Sequence, residues 1–194
     1  MNASGFHRAP VRWAWRPHRP QRRAEDEARP WLAAAVGVAP EALALARDAR
    51  NRPCLQGAQA RFDCNWSHSG EHLLLALGDG VRVGADVERV RERPRALALA
   101  ERYFGADEAA WLRAQPEAAR PLAFARLWCL KEAVLKAHGH GLAFGLDRVA
   151  FALDPSPAIV RLDPALGEAG DWRVRLIDAP PGYAAALAWR RREG

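Results

Sequence analysis

The feature that most constrains the fold is a strict alternation over Val81–Glu88. Apolar side chains occupy every second position, and Arg, Gly, Asp and Glu stand between them. This period of two is typical of a β-strand with one buried face. A second apolar run, Leu73–Leu77, precedes it, and the intervening Gly78-Asp79-Gly80 is a turn signal. The sequence therefore predicts a β-hairpin that joins these two strands.

The remaining segments predict an α+β fold. Helical spacing and capping signals predict four helices, over Ala24–Val36, Arg95–Tyr103, Ala106–Ala114 and Leu122–His138. Short apolar runs between Pro, Gly and Asp predict four later strands, over Val149–Leu153, Ile159–Leu162, Trp172–Ile177 and Tyr183–Trp189. Since helices and antiparallel strands occur in both parts of the chain, we divide it into an N-terminal half, 1–94, and a C-terminal half, 95–194.

The charge of the chain calls for an anionic partner. Its 194 residues, enough for one large domain or two small ones, carry a formal net charge of +6. A nucleic acid, a phosphorylated cofactor or an acidic protein would each match that charge. Because no zinc-finger, homeodomain or RNA-recognition pattern accompanies the arginines, we expect no nucleic-acid partner.

Cysteine usage and apolar run lengths indicate where the protein works. Cys54, Cys64 and Cys129 are odd in number and form no C-x-x-C pair, which argues against a disulfide framework and a zinc site. No apolar run reaches the roughly 18 residues that span a bilayer, and Met1–Pro20 lacks the apolar core of a secretory signal. We therefore expect a cytoplasmic protein with no membrane partner.

Lysine is rare and clustered in this chain. Lys131 and Lys136 are the two lysines beside twenty-seven arginines, and both lie in one predicted helix. Glu132 and Lys136 are four residues apart, so they share a helix face. This arrangement is typical of a surface ion pair, and it also fits half of a phosphate-and-metal site. The residues alone leave both interpretations open.

Two further segments carry residues suited to chemistry. Asp86 and Glu88 lie on one face of their predicted strand, roughly 7 Å apart, where they would share a Mg²⁺ ion or form a solvated polar face. Asn65–Gly70 contains Ser67 and His68, whose hydroxyl and imidazole are suited to phosphate in a predicted loop. His68 also fits a general base or an ordinary loop histidine.

The order of these segments is more specific than any one of them. In sequence they are N-R-P-C from Asn51, N-W-S-H-S-G from Asn65, V-G-A-D-V-E from Val83, L-W-C-L-K-E-A-V-L-K from Leu127 and G-H-G-L from Gly139. This series resembles the 4′-phosphopantetheinyl transferases of the long, monomeric, surfactin-synthetase-activating type. The resemblance runs from about residue 51 to residue 142.

The resemblance implies a reaction and a set of site residues. The family transfers the 4′-phosphopantetheine arm of coenzyme A to a serine of an apo acyl or peptidyl carrier protein and releases 3′,5′-ADP. It implies Mg²⁺, or Mn²⁺, on Asp86, Glu88 and Glu132, with Glu132 as general base and Lys136 as the second catalytic residue. The implied contacts with coenzyme A are Arg29, Arg52, Ser67, His68 and Lys136.

The resemblance also implies an architecture and partners. The family fold is a pseudo-dimer of two similar α+β halves, each of antiparallel strands packed on helices, with the active site in the cleft between them. The first half would carry the S-H-S-G loop and the D-x-E strand, and the second the W-x-x-K-E-x-x-x-K helix. A monomer that acts on an acidic carrier protein is expected.

Three positions depart from the family pattern. Asn51 stands where glycine is usual, Trp66 where isoleucine or leucine is usual, and Ala85 where a branched residue is usual.

Other functions compete with this interpretation. A non-catalytic relative that binds coenzyme A or a carrier is the main alternative. A basic nucleic-acid-binding module and a magnesium-dependent phosphohydrolase are two others.

Overall fold

The structure, a computed structural model, has the α+β fold that the sequence predicts. It describes residues 10–192, apart from the side chain of Leu142, so the first nine residues of the predicted N-terminal half lie outside the described residues. The helices are α1 (Ala24–Val36), α2 (Ala96–Tyr103), α3 (Ala106–Ala114) and α4 (Arg120–His138). All four predicted helices are confirmed, and Gly139, with a φ of 93°, caps α4 in the left-handed conformation.

Ten strands accompany these helices in the described part of the chain. They are β1 (Val11–Pro17), β2 (Leu45–Arg47), β3 (Pro53–Leu55), β4 (Phe62–Ser69), β5 (His72–Asp79), β6 (Val81–Arg89), β7 (Val149–Ala152), β8 (Ala158–Leu162), β9 (Trp172–Leu176) and β10 (Tyr183–Arg191). They form two three-stranded antiparallel sheets, β1-β5-β4 and β6-β10-β9, and two short ribbons, β2-β3 and β7-β8. In each three-stranded sheet, the strand that comes first along the chain lies at one edge, and the strand that comes last lies in the centre.

The predicted hairpin over residues 73–88 is wrong. β5 pairs with β1 and β4, whereas β6 pairs with β10 in the other sheet. Only Gly80 separates the end of β5 from the start of β6, and even the shortest common hairpin loop needs two residues. The chain therefore passes from the first sheet, residues 11–79, into the second at Gly80.

The segment predicted as an S-H-S-G loop is also different. Ser67 and His68 lie within strand β4, and the hairpin turn is the following pair, Gly70-Glu71, between Ser69 and His72. The sequence misled because Ser, His and Asn are common in loops. The role of Asn65 and Ser67 in this strand depends on contacts with the neighbouring sheet, which the sequence alone does not show.

Strands β4 and β6 lie side by side but are joined by side chains, and we call this contact the seam. Asp63 Oδ2 accepts from Val83 N at 2.8 Å, and Asn65 Oδ1 accepts from Ala85 N at 3.0 Å. Farther along, Ser69 Oγ accepts from Arg89 N at 3.0 Å. Because side chains of a strand alternate between faces, the polar residues 63, 65, 67 and 69 all point into the seam.

Helix α4 packs so closely against β6 that backbone atoms of the two elements are in contact. A Cβ atom added to Gly84 would lie 1.9 Å from Ala133 O and 2.6 Å from Ala137 N. No side chain fits there, so the glycine lets helix and strand approach until their backbones touch. Most of α4 is consequently buried, including Leu127, Leu130 and Val134.

Core residues lie on both sides of each sheet. Leu73, Leu75 and Leu77 of β5 pack with α1, while Leu74 and Ala76 of the same strand pack with residues of β6 and β10. The alternation of β5 thus buries both of its faces, as expected of a central strand covered on two sides. In residues 10–192, no helix combines the length and apolar character needed to cross a membrane.

Gly84→Ala is expected to lower the free energy of unfolding by about 2–4 kcal/mol, because the added methyl group forces α4 away from β6. Urea denaturation measures the loss. Gly170→Ala is the matched control, since a Cβ there meets nothing within 4 Å. Equal stabilities of the two variants would contradict the close contact.

Candidate active site

One ion pair lies where the seam meets α4. Lys136 Nζ lies 2.6 Å from Asp86 Oδ1 and 3.0 Å from Ser67 Oγ. Ser67 Oγ donates to the same Asp86 oxygen at 2.7 Å. These three residues come from α4, β6 and β4 respectively, so the seam and the Gly84 contact together determine their positions.

The two oxygens of Asp86 differ in their hydrogen bonding. Asp86 is 4% exposed, and its Oδ2 atom is buried without a hydrogen bond among the residues that the structure describes. An unsatisfied carboxylate oxygen in a protein interior costs free energy. It therefore marks a position where a bound cation or a donor would be favourable.

Glu132 lies on α4 one turn before Lys136, and its environment disfavours charge. Burial raises the pKa of its carboxyl to about 7, and the nearby Asp86 and Glu88 add to this increase. Burial and Asp86 also raise the pKa of Glu88, although Arg93 partly compensates with an ion pair at 2.9 Å. Asp86 thus lies close enough to Glu88 and Glu132 to disfavour their ionisation.

The environment of Lys136 favours its charged form, in contrast to that of Glu132. Burial by itself would lower the pKa of its ammonium group, but the attraction and hydrogen bond of Asp86, with Glu132, outweigh burial and raise it. Lys136 is therefore held as a cation. A fixed positive charge beside three carboxylates is suited to binding phosphate oxygens.

The three carboxylates have the oxygen atoms that a hard cation needs, but they are not arranged as a complete metal site. Among the described residues, no group of three or more His, Cys, Asp or Glu side chains is arranged to hold a metal ion. Asp86 nevertheless offers its unpartnered oxygen, and Glu88 and Glu132 add the carboxylate oxygens that Mg²⁺ prefers. The chemistry of these residues fits a divalent cation.

His68 lies beside this group and has a partner that sequence reasoning missed. The ring of His18 stacks on it, with centroids 4.0 Å apart and planes inclined by 18°. Burial, His18 and Lys136 lower the pKa of His68. No sequence spacing links residue 18 to residue 68, because the contact depends on the register of β1 and β4 on opposite sides of β5.

Arg52, which the resemblance implies as a coenzyme A contact, binds other residues of the protein. It is 6% exposed, and all five of its N–H groups have partners. They donate to Lys136 O, to both oxygens of Asp63, to Pro53 O and to Val83 O. Arg52 therefore joins β3, β4, β6 and α4, and no donor is left for a phosphate.

The neighbour of Arg52 explains one departure from the family pattern. Asn51 has a φ of 62°, a left-handed conformation that glycine adopts freely and asparagine tolerates better than most residues. The geometry that glycine would supply is thus retained.

Part of the Arg29 guanidinium binds other residues of the protein. Its Nη1 atom donates to Leu43 O at 3.0 Å and Pro40 O at 3.3 Å, and Nη2 lies 3.7 Å from Glu25. The two hydrogen bonds connect α1 to the segment that follows it, so Nη1 has a structural role.

Lys131 forms a second buried ion pair that sequence reasoning missed. Its Nζ lies 2.7 Å from Glu108 Oε2, with both side chains almost fully buried, and it donates to Leu146 O at 3.0 Å. Glu108 in turn accepts from Phe151 N at 2.9 Å. The pair connects α3, α4 and β7, so the two clustered lysines have different tasks.

Arg52→Met is expected to reduce the free energy of unfolding by about 3–5 kcal/mol, because it leaves the Asp63 carboxylate buried without its partner. Arg61→Met provides the control, since Arg61 pairs with Asp79 at 2.9 Å on the surface and such pairs contribute about 1 kcal/mol or less. Urea denaturation compares them, and similar losses would refute the proposed role of Arg52.

Glu132→Gln is expected to stabilise the metal-free protein above neutral pH. With a folded-state pKa of about 7 against an ordinary 4.5, folded Glu132 keeps its proton longer than the unfolded chain does. The wild type therefore loses stability as pH rises between these values, by up to about 3 kcal/mol.

Urea denaturation with a chelator, from about pH 5 to about pH 8, measures this difference. The advantage of Glu132→Gln should grow with pH and level off above pH 7. The exposed Glu168→Gln is the control. A constant difference between Glu132→Gln and wild type across the range would count against the raised pKa.

Comparison with known proteins gives the same family as the motifs. The family profile of the 4′-phosphopantetheinyl transferase superfamily matches residues 82–188, more than half of the chain. The matched region begins in β6 and ends in β10, so it covers the second sheet and α4.

Two sequence relatives carry the name of this family, and one solved structure matches part of the chain. A 4′-phosphopantetheinyl transferase of Bacillus pumilus is 42% identical over 131 residues, 67% of this chain and 54% of that protein. A phosphopantetheinyl transferase of a Thraustochytrium species is 31% identical over 199 residues, 86% of this chain and 67% of that protein. A solved structure of Thermotoga maritima holo-[acyl-carrier-protein] synthase matches with a TM-score of 0.45 and 27% identity, over 57% of this chain and 63% of that one.

This chain spans between about half and two thirds of the length of these curated relatives. The extent of the family match and the identities to its members lead to one conclusion: the chain belongs to the 4′-phosphopantetheinyl transferase superfamily.

Proposed function

We propose that this protein transfers the 4′-phosphopantetheine arm of coenzyme A to a serine of an apo carrier protein, giving the holo-carrier and 3′,5′-ADP. The observation that carries the proposal is the group formed by Asp86, Glu132 and Lys136 at the seam. It combines a carboxyl with a pKa near 7, a carboxylate with an unpartnered oxygen and a fixed ammonium. Family membership gives this group its chemical context.

The transfer needs a base and a stabilised leaving group. The serine oxygen of the carrier attacks the phosphorus that bears the pantetheine arm, and the bond from that phosphorus to the bridging oxygen breaks. Glu132 takes the serine proton as general base. The bridging oxygen leaves on 3′,5′-ADP, where Lys136 offsets its negative charge. A raised pKa favours this electrostatic role of Lys136 over proton donation.

Asp86, Glu88 and Glu132 would hold Mg²⁺ or Mn²⁺. A bound divalent ion would neutralise the charge that develops on the diphosphate. The unpartnered Asp86 Oδ2 supports this assignment. Glu88 would have to share its carboxylate with Arg93, which already lies 2.9 Å away.

Ser67, His68 and Lys136 remain our coenzyme A contacts. Lys136 Nζ and Ser67 Oγ lie 3.0 Å apart, and the exposed His68 is the next residue along β4. A hydroxyl, an imidazole and an ammonium are each suited to phosphate oxygens. Arg52 is left out because all its donors are bound elsewhere, whereas Arg29, which hydrogen-bonds through Nη1, stays a candidate contact.

We further propose that the two sheets are the halves of a pseudo-dimer, with the site in the cleft between them. Both sheets have the same strand order, first, last and last but one, which supports an internal repeat. The predicted halves were 1–94 and 95–194. Since β6 pairs with β10, a division near Gly80 fits the strand pairing better.

The partner would be an acidic acyl or peptidyl carrier protein, met by a monomer in the cytoplasm. The net charge of +6 would steer an acidic carrier toward the protein. The free thiols of Cys54, Cys64 and Cys129 suit a reducing compartment.

Intact-mass spectrometry of an apo carrier incubated with coenzyme A, Mg²⁺ and the protein tests the function. We expect the carrier to gain one phosphopantetheine. Glu132→Gln should lower the rate by about 100-fold or more, because it removes the base. Lys136→Ala should give a loss of similar size, because it removes the charge that offsets the leaving oxygen.

The control is Glu168→Gln, an exposed carboxylate far along the chain from the site, which should keep full activity. Chelation should abolish transfer and added Mg²⁺ should restore it. No gain of mass on fatty-acid, polyketide or peptide carriers, with coenzyme A still bound, would favour a non-catalytic relative. Breakdown of coenzyme A without a carrier would instead indicate a phosphohydrolase.

A further inference from the structure

The stacked imidazoles of His18 and His68 form a feature that the proposed function does not yet use. Their ring centroids are 4.0 Å apart, and their planes are inclined by only 18°. The two rings therefore lie close enough together for one small group to contact both of them.

The fold holds His18 in this position through its backbone. The register of β1 on β5 ends at Pro17, which pairs with His72. Beyond that pair, His18 N donates to Glu71 O at 2.7 Å. The bond extends the strand pairing by one residue, so His18 lies over the β4–β5 turn and against the ring of His68.

Neither imidazole is committed to another polar group. Within residues 10–192, no side-chain hydrogen bond joins His18 or His68 to the protein, and their recorded ring contact is with each other. His68 is exposed and His18 half-buried. Neither ring is therefore tied to the protein by a hydrogen bond, in contrast to Arg52, whose donors are all used.

Positive charge and a groove accompany the pair. Lys136 is near enough to His68 to lower its pKa, and Arg16 and Arg19 flank His18 in sequence. A groove of about 750 Å³ is lined by His18 together with Trp15, His72 and Pro180. Arg16 lines the groove as well, as do the acidic Glu71 and Asp178.

We propose that His18 is a second imidazole ligand for a phosphate group of coenzyme A, which it binds together with His68. The inference rests on the proposed function and deepens it, because it assigns a ligand contact to a residue outside every motif of the resemblance. A phosphate group bears several acceptor oxygens, so it can accept from N–H groups of both rings at once. Coenzyme A carries two such groups, the diphosphate and the 3′-phosphate.

Calorimetric titration of the full chain with coenzyme A tests this role. His18→Gln removes the stacked ring with its N–H groups, and His18→Phe keeps a stacked ring without any N–H. Both variants should bind coenzyme A about 10-fold more weakly, equivalent to about 1.4 kcal/mol. His140→Gln is the matched control, since His140 belongs to another stacked pair, with His138 at 4.4 Å, and should bind as the wild type does.

Titration with dephospho-coenzyme A identifies the phosphate. A loss of affinity seen with coenzyme A but not with the dephospho form assigns His18 to the 3′-phosphate. An equal loss with both ligands assigns it to the diphosphate.

Three results would overturn the inference. Unchanged affinity in His18→Gln, with a wild-type circular dichroism spectrum, would show that His18 makes no contact. Full affinity in His18→Phe with a loss in His18→Gln would show that the ring only supports His68. If the wild type itself fails to bind coenzyme A, both the inference and the proposed function fail, whereas normal wild-type binding with unaffected variants refutes the inference alone.

Discussion

The buried ion pair between Arg52 and Asp63 is the interaction on which the rest of this structure depends. Asp63 accepts from both terminal nitrogens of Arg52 and from Val83 N, and Arg52 donates to carbonyl groups of Val83 and Lys136. Buried charges are tolerated when such bonds satisfy every donor and acceptor. One guanidinium thereby links both sheets to the helix that carries Glu132 and Lys136.

Close backbone contact between α4 and β6 then determines the ionisation of the site residues. Gly84 admits α4 to within touching distance of β6, which brings Glu132 beside Asp86 in a buried environment. The resulting repulsion and desolvation raise the pKa of Glu132 to about 7, while the same carboxylates keep Lys136 charged. A surface pair at the same helical spacing would have neither property, because water would screen it.

Sequence reasoning was most successful where information is local. Helix α4 and its cap at Gly139 follow from apolar spacing and one glycine, and the family motifs follow from residue order. It failed where the outcome depends on distant segments. The hairpin at Gly80 was wrong because pairing of β6 with β10 cannot be deduced from β5. The partners of Arg52 could not be deduced either, because they are Asp63, Val83 and Lys136, which belong to three other elements.

The contiguity of the two sheets has a consequence for how the protein becomes active. Every strand of the first sheet lies within residues 11–79 and every strand of the second within 81–191, so each sheet is assembled from an unbroken stretch of chain. Ser67 belongs to one and Asp86 to the other, and they meet only across the side-chain bonds of the seam. We therefore expect activity to return after secondary structure during refolding, when the two sheets dock.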